Sequence, residues 1–165
     1  MRPERIQEDN MKTSRWVIAV LALSAGTISG QAKPNFSGEW TMVPAKSDYG
    51  MMPAPTSAVQ KITHADPALT VVNTQTSDQG SFTIESTYTT DGKECVNKGR
   101  MGEVKSTLKW DGGVLVIESK ADFQGNPVTI TNKWTLSEDG KVLTVNTHFS
   151  SSMGEGDARI AYEKK

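Results

Sequence analysis

Two histidines are the side chains of this 165-residue chain best suited to acid–base or metal chemistry. One residue separates His64 from Asp66, whereas His148 stands far along the chain. A zinc site needs three or four protein ligands, and nothing in the sequence sets the distance between the two imidazoles. We therefore expect neither a metal ion nor a cofactor.

Nucleophilic catalysis would need a hydroxyl or thiol nucleophile, a neighbouring base and an acid that orients the base. Serines are plentiful, but the chain contains no Gly-x-Ser-x-Gly motif. Paired carboxylates for glycoside cleavage could be assembled from almost any of the 19 acidic residues, so the sequence gives no evidence for a glycosidase. The sequence favours a protein that is not an enzyme. A small hydrolase or isomerase that uses His64 or His148 beside an acid in a cleft remains the catalytic alternative.

Cys95 is the single cysteine, so the chain cannot form an intramolecular disulfide. A free cysteine packs as a small hydrophobic residue. We expect Cys95 to be buried and the protein to be a monomer. The alternative is that Cys95 forms a disulfide with a second molecule.

The charge pattern excludes one class of partner. The chain has 18 basic and 19 acidic residues, a net charge of −1, and its Lys and Arg residues are scattered among the acids. A nucleic-acid-binding surface needs a basic patch that follows the phosphate backbone. We therefore expect no binding to nucleic acid.

Residues 11–32 have the parts of a secretory signal in order. Lys12 and Arg15 precede the apolar run Trp16–Leu23, and small residues then lead to Ala32. This apolar run is shorter than the ~20 residues that a membrane-spanning helix needs. The pattern predicts a signal peptide that is removed.

Cleavage before Lys33 would release residues 33–165 as one domain, exported to the periplasm or the cell exterior, with no membrane span. Residues 1–10 are polar, and a signal does not need them. We interpret this decapeptide as a mis-assigned upstream start, with Met11 as the true first residue.

The mature chain alternates short strands with turns. Asp-Gly pairs between alternating segments are typical of tight hairpins, because glycine supplies the positive φ that such turns require. Consecutive hairpins predict an all-β, antiparallel up-and-down meander that closes into a barrel of about 8–10 strands, with a two-sheet sandwich as the alternative. Beyond a first strand within Lys33–Val43, the predicted strands are Ala58–His64, Leu69–Thr76, Ser81–Thr89, Lys93–Asn97, Glu103–Trp110, Val114–Ala121, Val128–Leu136, Val142–Ser150 and Asp157–Glu163.

Four predicted strands have one face that is more apolar than the other, which we assign to the interior. Each of these faces also carries one small polar residue: Ser86, Ser106, Asn132 or Thr147. Such groups need partners when buried. They face an internal cavity, or they bond to one another, face strand ends or are assigned to the wrong face because of a bulge. For a cavity, the predicted ligand-binding residues are Phe82, Ser86, Tyr88, Ser106, Leu108, Ile130, Asn132, Trp134 and Phe149.

The segment Pro44–Thr56 contains three prolines and one glycine, too many for a helix or a central strand. We expect a loop. A second hypothesis for function is a non-catalytic envelope interaction module that uses Tyr49, Met51 and Met52 of this loop as an apolar contact surface.

The residues Gly38-Glu39-Trp40 resemble the Gly-x-Trp motif of calycins, the group of lipocalins, fatty-acid-binding proteins and their bacterial relatives. In that group the Trp closes one end of the barrel and an Arg near the last strand packs on it. The resemblance implies structural roles for Gly38, Trp40 and Arg159, and the binding of a small hydrophobic or amphipathic molecule inside the barrel.

The carboxyl terminus also resembles the last strand of fatty-acid-binding proteins, in which an Arg-x-Tyr pair holds the ligand carboxylate. Here the spacing is Arg159-x-x-Tyr162, which places the two side chains on opposite faces of a regular strand. No helix pair follows the first strand as it does in that family. The stretch Trp40–Gly50 is similar to the opening of small exported bacterial lipocalin-like proteins.

Overall fold

A computed structural model describes residues 33–100 and 102–165. The predicted signal peptide and upstream start lie outside the described residues. The described chain forms ten strands and one 3-10 turn at Pro44–Lys46. The strands are β1 Gly38–Met42, β2 Ser57–Ala65, β3 Ala68–Ser77, β4 Gly80–Thr89, β5 Glu94–Gly99, β6 Gly102–Asp111, β7 Val114–Phe123, β8 Asn126–Leu136, β9 Val142–Ser151 and β10 Gly154–Lys164.

All ten strands belong to one antiparallel sheet in the order β4-β3-β2-β1-β10-β9-β8-β7-β6-β5. Strands that are neighbours in sequence pair with one another except β4 and β5, which form the two edges, and β1 pairs in addition with β10, which curls the sheet into a nearly closed barrel. The prediction of an all-β, up-and-down barrel is confirmed. The sandwich alternative is wrong, since the ten strands form a single sheet.

The Asp-Gly turns have the backbone that the sequence predicts. Gly112 has a φ of 58° and Gly140 a φ of 66°, both in the left-handed region that favours glycine. These residues reverse the chain between β6 and β7 and between β8 and β9. Local turn chemistry therefore sets the register of the meander.

Side chains close the seam between the two edge strands, β4 and β5. Asn97 donates its Nδ2 to the Thr87 carbonyl at 3.0 Å and accepts from the Thr87 N–H at Oδ1, at 2.8 Å. The Thr89 N–H lies 3.2 Å from the Cys95 Sγ. Cys95 is half-buried at this seam, less buried than expected. The barrel wall is thus continuous although the main chains of β4 and β5 form no ladder.

The Pro44–Thr56 loop follows β10 instead of projecting from the barrel. Asp48 and Arg159 exchange two main-chain hydrogen bonds of 2.7 Å, and the Ser47 hydroxyl accepts from the Ala161 N–H at 3.0 Å. Tyr49 packs against the core. Met51 remains 76% exposed. The loop therefore completes the wall beside the short strand β1.

We predict that replacing Asn97 by alanine opens the β4–β5 seam. The substitution removes two hydrogen bonds to Thr87, so the free energy of unfolding should fall by about 1 kcal/mol. The measurements are denaturant unfolding and hydrogen exchange at the Thr87 amide, which should exchange faster.

The matched control is Asn146→Ala, on the exposed outer face of β9. It should change the free energy of unfolding by no more than about 0.5 kcal/mol. Equal losses in the two variants, with unchanged exchange at Thr87, would show that the seam does not depend on Asn97.

Candidate functional site

Aromatic side chains close the end of the barrel at which β1 begins. Trp40 is fully buried, and its indole Nε1 donates to the Phe36 carbonyl at 2.9 Å. The Phe36 ring stacks at 5.9 Å on both His64 and Trp110 and meets the edge of Trp134 at 5.6 Å. We call these five side chains the aromatic floor.

The lead-in before β1 holds the floor in place through the end of β2. The Ser37 hydroxyl accepts from the His64 N–H at 2.9 Å and donates to the His64 carbonyl at 3.1 Å. The Phe36 N–H donates to His64 Nδ1 at 3.3 Å. These bonds fix Phe36 beneath Trp40, a role that the sequence did not reveal because Phe36 precedes the first strand.

The predicted packing of Arg159 on Trp40 is wrong. Arg159 is exposed on the outer face of β10 and donates to the Lys46 carbonyl at 3.3 Å. The cation over Trp40 is Lys164, whose Nζ lies 5.2 Å from the ring centroid. Strand alternation is the reason: Lys164 shares the inward face with Tyr162, and Arg159 does not. Gly38, with a φ of 146°, leaves room for Lys164, whose Cε would lie 2.7 Å from an added Cβ.

His64 is a neutral structural residue within the floor. Its Nδ1 accepts from Phe36, which places the ring proton on Nε2, an atom that is buried without a partner among the described residues. Burial lowers the pKa of His64; the carboxylate of Asp66, 4.0 Å from Nε2, opposes this effect, and Lys33 adds to it.

Asp66 ties the lead-in to two other parts of the floor. Its carboxylate accepts from the Thr90 hydroxyl, from Lys33 Nζ at 3.0 Å and from Trp110 Nε1 at 3.3 Å. The bond from Thr90 and then that from Lys33 lower the pKa of Asp66 most. The His64–Asp66 pair is thus part of the packing at the closed end.

A cavity of about 240 Å³ lies above the floor. Its apolar lining consists of Val71, Ile84, Trp134, Val145 and Ile160. Its polar lining consists of four carboxamides and four hydroxyls, contributed by Gln60, Asn73, Gln75, Asn132, Ser86, Tyr88, Thr147 and Tyr162. Small-molecule sites combine apolar walls with polar groups that orient the ligand, and this cavity has both.

Some polar groups of the lining form hydrogen bonds with each other, and others have no partner among the described residues. Gln60 Nε2 donates to the Tyr162 hydroxyl at 3.1 Å, and the Thr147 hydroxyl donates to Asn132 Oδ1 at 2.7 Å. Gln60 Oε1 and Asn73 Oδ1 are buried without a partner among the described residues. Burial raises the pKa of Tyr162 to about 12, so its hydroxyl stays protonated at neutral pH.

Four of the nine predicted ligand-binding residues line this cavity: Ser86, Tyr88, Asn132 and Trp134. Two others are enclosed in the packing. Ser106 is 1% exposed and bonds to the Ser119 hydroxyl at 2.8 Å, and Leu108 has no exposed surface. Neither residue lines the inner cavity, because neighbouring side chains enclose both of them.

The remaining three lie towards the open end. Ile130 lines an apolar cavity of about 250 Å³ together with Val104 and Phe123. Phe82 packs beneath Arg100, whose Cζ lies 4.0 Å from the ring centroid. The Phe149 ring covers Gly156, where an added Cβ would lie 2.6 Å from the ring. Of the nine predicted residues, four thus line the inner cavity, two are enclosed in the packing and three lie towards the mouth of the barrel.

Sequence reasoning missed the polar residues on β2, β3 and β10. Gln60, Asn73 and Gln75 lie inward, as does Tyr162. Alternation gives a signal for Gln60, since Ala58, Ile62 and His64 share its face and are buried. The amides themselves look like solvent-facing positions in a sequence.

A second depression lies on the outer face of β8–β10. It has a volume of about 340 Å³ and includes His148, Asp157 and Arg159. His148 Nδ1 lies 2.9 Å from Asp157 Oδ1, which gives the histidine-beside-acid arrangement that the catalytic alternative requires. The two side chains are 47% and 82% exposed, so water screens the pair.

Two absences concern residues 33–100 and 102–165. That part of the chain contains no group of three or more His, Cys, Asp or Glu side chains placed to hold a metal ion. It also contains no helix of the length and apolar character needed to cross a membrane.

Comparison with known proteins gives structural matches only. No protein-family model and no curated protein sequence matches the chain. The zebrafish ileal bile acid-binding protein complexed with cholic acid matches with a TM-score of 0.57 at 16% identity, over 79% of this chain and 98% of that one.

Two other solved structures are similar. A secretory abundant heat soluble protein from Ramazzottius varieornatus has a TM-score of 0.55 at 14% identity, over 83% of this chain and 100% of its own. Fatty-acid-binding protein 1 of Echinococcus granulosus has a TM-score of 0.52 at 15% identity, over 78% and 96%. The fold is calycin-like, as the Gly-x-Trp motif predicted; at these identities the likeness concerns the fold alone.

We predict that His64 makes stability depend on pH. Its pKa in the folded chain lies below the 6.5 of an unperturbed histidine, so the unfolded chain binds more protons once the pH drops below that value. The free energy of unfolding should therefore fall as the pH is lowered from 6.5 towards the folded-state pKa. Denaturant unfolding over a pH series measures it.

The variant His64→Gln should lack this component of the pH dependence, although it also weakens the floor. His148→Gln, at the exposed outer depression, is the matched control and should retain it. The same slope in the wild type and in His64→Gln would contradict the assignment.

Proposed function

We propose that this protein binds a small hydrophobic or amphipathic molecule inside the barrel. The observation that carries the proposal is the 240 Å³ cavity, which has an aromatic floor and a lining of mixed polarity. The volume lies just below the ~300–1,000 Å³ of typical ligand sites, which favours a small ligand. The similarity to bile-acid-binding and fatty-acid-binding proteins supports binding as the activity, in place of catalysis.

The interaction-module hypothesis has weaker support. Its loop lies along β10, and Tyr49 packs inward. Among the described residues, the exposed large apolar side chains are Met51 on the loop, Val96 on β5 and Met153 at the β9–β10 turn, 76%, 55% and 79% exposed. Single exposed apolar side chains are common on protein surfaces, so we place ligand binding first.

Binding can be tested by filling the cavity. Ser86 lines it, and Ser86→Trp should occupy the space available to a ligand. We expect the affinity for Nile red, a neutral apolar dye, to fall by at least about tenfold, a loss of about 1.4 kcal/mol. Dye fluorescence in a titration gives the affinity.

The matched control is Glu85→Trp, which adds the same side chain on the exposed outer face of β4. It should leave the affinity for Nile red within about twofold, a few tenths of a kcal/mol. Equal effects of the two substitutions, or no saturable binding by the wild type, would overturn the proposal.

We also propose that the protein is exported as a monomer. The arrangement of residues 11–32 supports export, and the near closure of the barrel leaves one short seam in place of two free edges. In a bacterial host, the extracytoplasmic fraction should contain a chain that begins at Lys33, identified by mass spectrometry.

The control for export is Leu21→Arg, which places a charge in the apolar run and should keep the uncut chain in the cytoplasm. An uncut wild-type chain confined to the cytoplasm would contradict the proposal. Light scattering of the purified product gives its mass in solution.

A further inference from the structure

The cavity has no charged side chain among the described residues of its lining. Its polar atoms come from carboxamides, aliphatic hydroxyls and two tyrosines. The basic residues nearest in sequence to Tyr162 lie elsewhere: Arg159 is on the outer face, and Lys164 lies over Trp40. A ligand in this cavity therefore meets dipoles and no opposite charge.

Two buried acceptor oxygens have no hydrogen-bond donor among the described residues. Gln60 is 7% exposed, and its Oε1 has no hydrogen-bond partner among the described residues, nor does Asn73 Oδ1. The two residues are opposite one another in the pairing of β2 with β3. A buried polar atom without a partner costs free energy. A ligand that donates hydrogen bonds to these two oxygens would therefore remove that cost.

Donors are also directed to the cavity. The Tyr162 oxygen accepts from Gln60, which leaves the Tyr162 O–H to donate. Asn132 has its Oδ1 engaged by Thr147, so the Nδ2 of Asn132 is the group left over. Asn132 lies on β8, across the barrel from β2 and β3 in the strand order. Donor and acceptor groups thus face a ligand from two sides.

We propose that the cavity selects a small ligand whose polar head is neutral and both donates and accepts hydrogen bonds, a carboxamide or a hydroxyl, over the carboxylate of the same chain. The inference rests on the proposed function, because it concerns the ligand of that same cavity. The free carbonyl oxygens of Gln60 and Asn73 would accept from the head of the ligand, and Tyr162 would donate to it.

Discrimination follows from the cost of desolvation. A carboxylate that leaves water for an uncharged cavity loses its hydration without gaining an ion pair, and the carboxamide oxygens of Gln60 and Asn73 would repel it. A neutral head loses much less hydration, and its N–H or O–H meets those same oxygens. Arg159 faces outward and donates to the Lys46 carbonyl, so it supplies no cation that could hold a carboxylate in the cavity.

The test compares ligands that differ in the head alone. Decanamide, 1-decanol and decanoate are each titrated against Nile red bound to the unmodified protein at neutral pH, where decanoate is ionised. We expect decanamide and decanol to displace the dye at concentrations at least about tenfold lower than decanoate. Decanoate that competes as well as decanamide would overturn the inference.

The variant Asn73→Leu tests the assigned acceptor. The change removes an unpaired buried oxygen and keeps the side chain similar in size, so the stability of the empty protein should stay the same or rise. The affinity for decanamide should fall by about tenfold, whereas that for decanoate should hold or rise, because the lost oxygen accepts from the amide head and repels the carboxylate. Asn146→Leu, on the exposed face of β9, is the matched control and should change none of these values.

The outcomes separate this inference from the function on which it rests. If no ligand displaces Nile red and Ser86→Trp leaves dye binding unchanged, the proposed function fails. If Ser86→Trp abolishes dye binding but decanoate is preferred, or Asn73→Leu leaves the affinity for decanamide unchanged, the neutral-ligand inference alone fails. The comparison of ligands on the unmodified chain holds whether or not the variant folds.

Discussion

The hydrogen bond from the Trp40 indole to the Phe36 carbonyl is the contact on which the rest of this barrel depends. It joins the first strand to the segment that precedes it, and that segment is held by the end of β2 through Ser37 and His64. The bond places the Phe36 ring between other aromatic rings at the closed end. Without this floor, the cavity would be a channel open to water at both ends, and its polar lining would be hydrated in place of holding a ligand.

The interior combines two kinds of packing that would conflict if they were mixed. Near the floor, Leu69, Leu108 and Leu115 are fully buried and supply the hydrophobic stabilisation of the domain. Above them, carboxamides and hydroxyls leave space and unpaired oxygens. Unpaired buried groups reduce stability, and the well-packed lower half offsets that cost. This division allows one small domain to be stable and still keep a cavity lined by polar groups.

Much of the fold could be predicted from local sequence patterns. Alternation located ten strands, and Asp-Gly pairs such as Asp111-Gly112 located their turns, because both patterns depend on residues close together in the chain. The site was predicted in part: Ser86, Tyr88, Asn132 and Trp134 line the cavity. Gln60 and Asn73 were missed, since an inward amide and an outward amide look alike in a sequence. Ser106 was misplaced because the tertiary packing, and not the alternation along its strand, decides whether its side chain is enclosed or faces a cavity.

The sequence by itself determined an all-β meander, its turns, and the opposite faces of Arg159 and Tyr162, since these follow from side-chain alternation and backbone preference within a few residues. Only the tertiary structure decided that Phe36 closes the barrel, that Lys164 and not Arg159 covers Trp40, and that Asn97 closes the seam. It also decided which polar side chains share one cavity. These relations join residues distant in the chain, and their geometry depends on the curvature of the whole sheet, which no local pattern encodes.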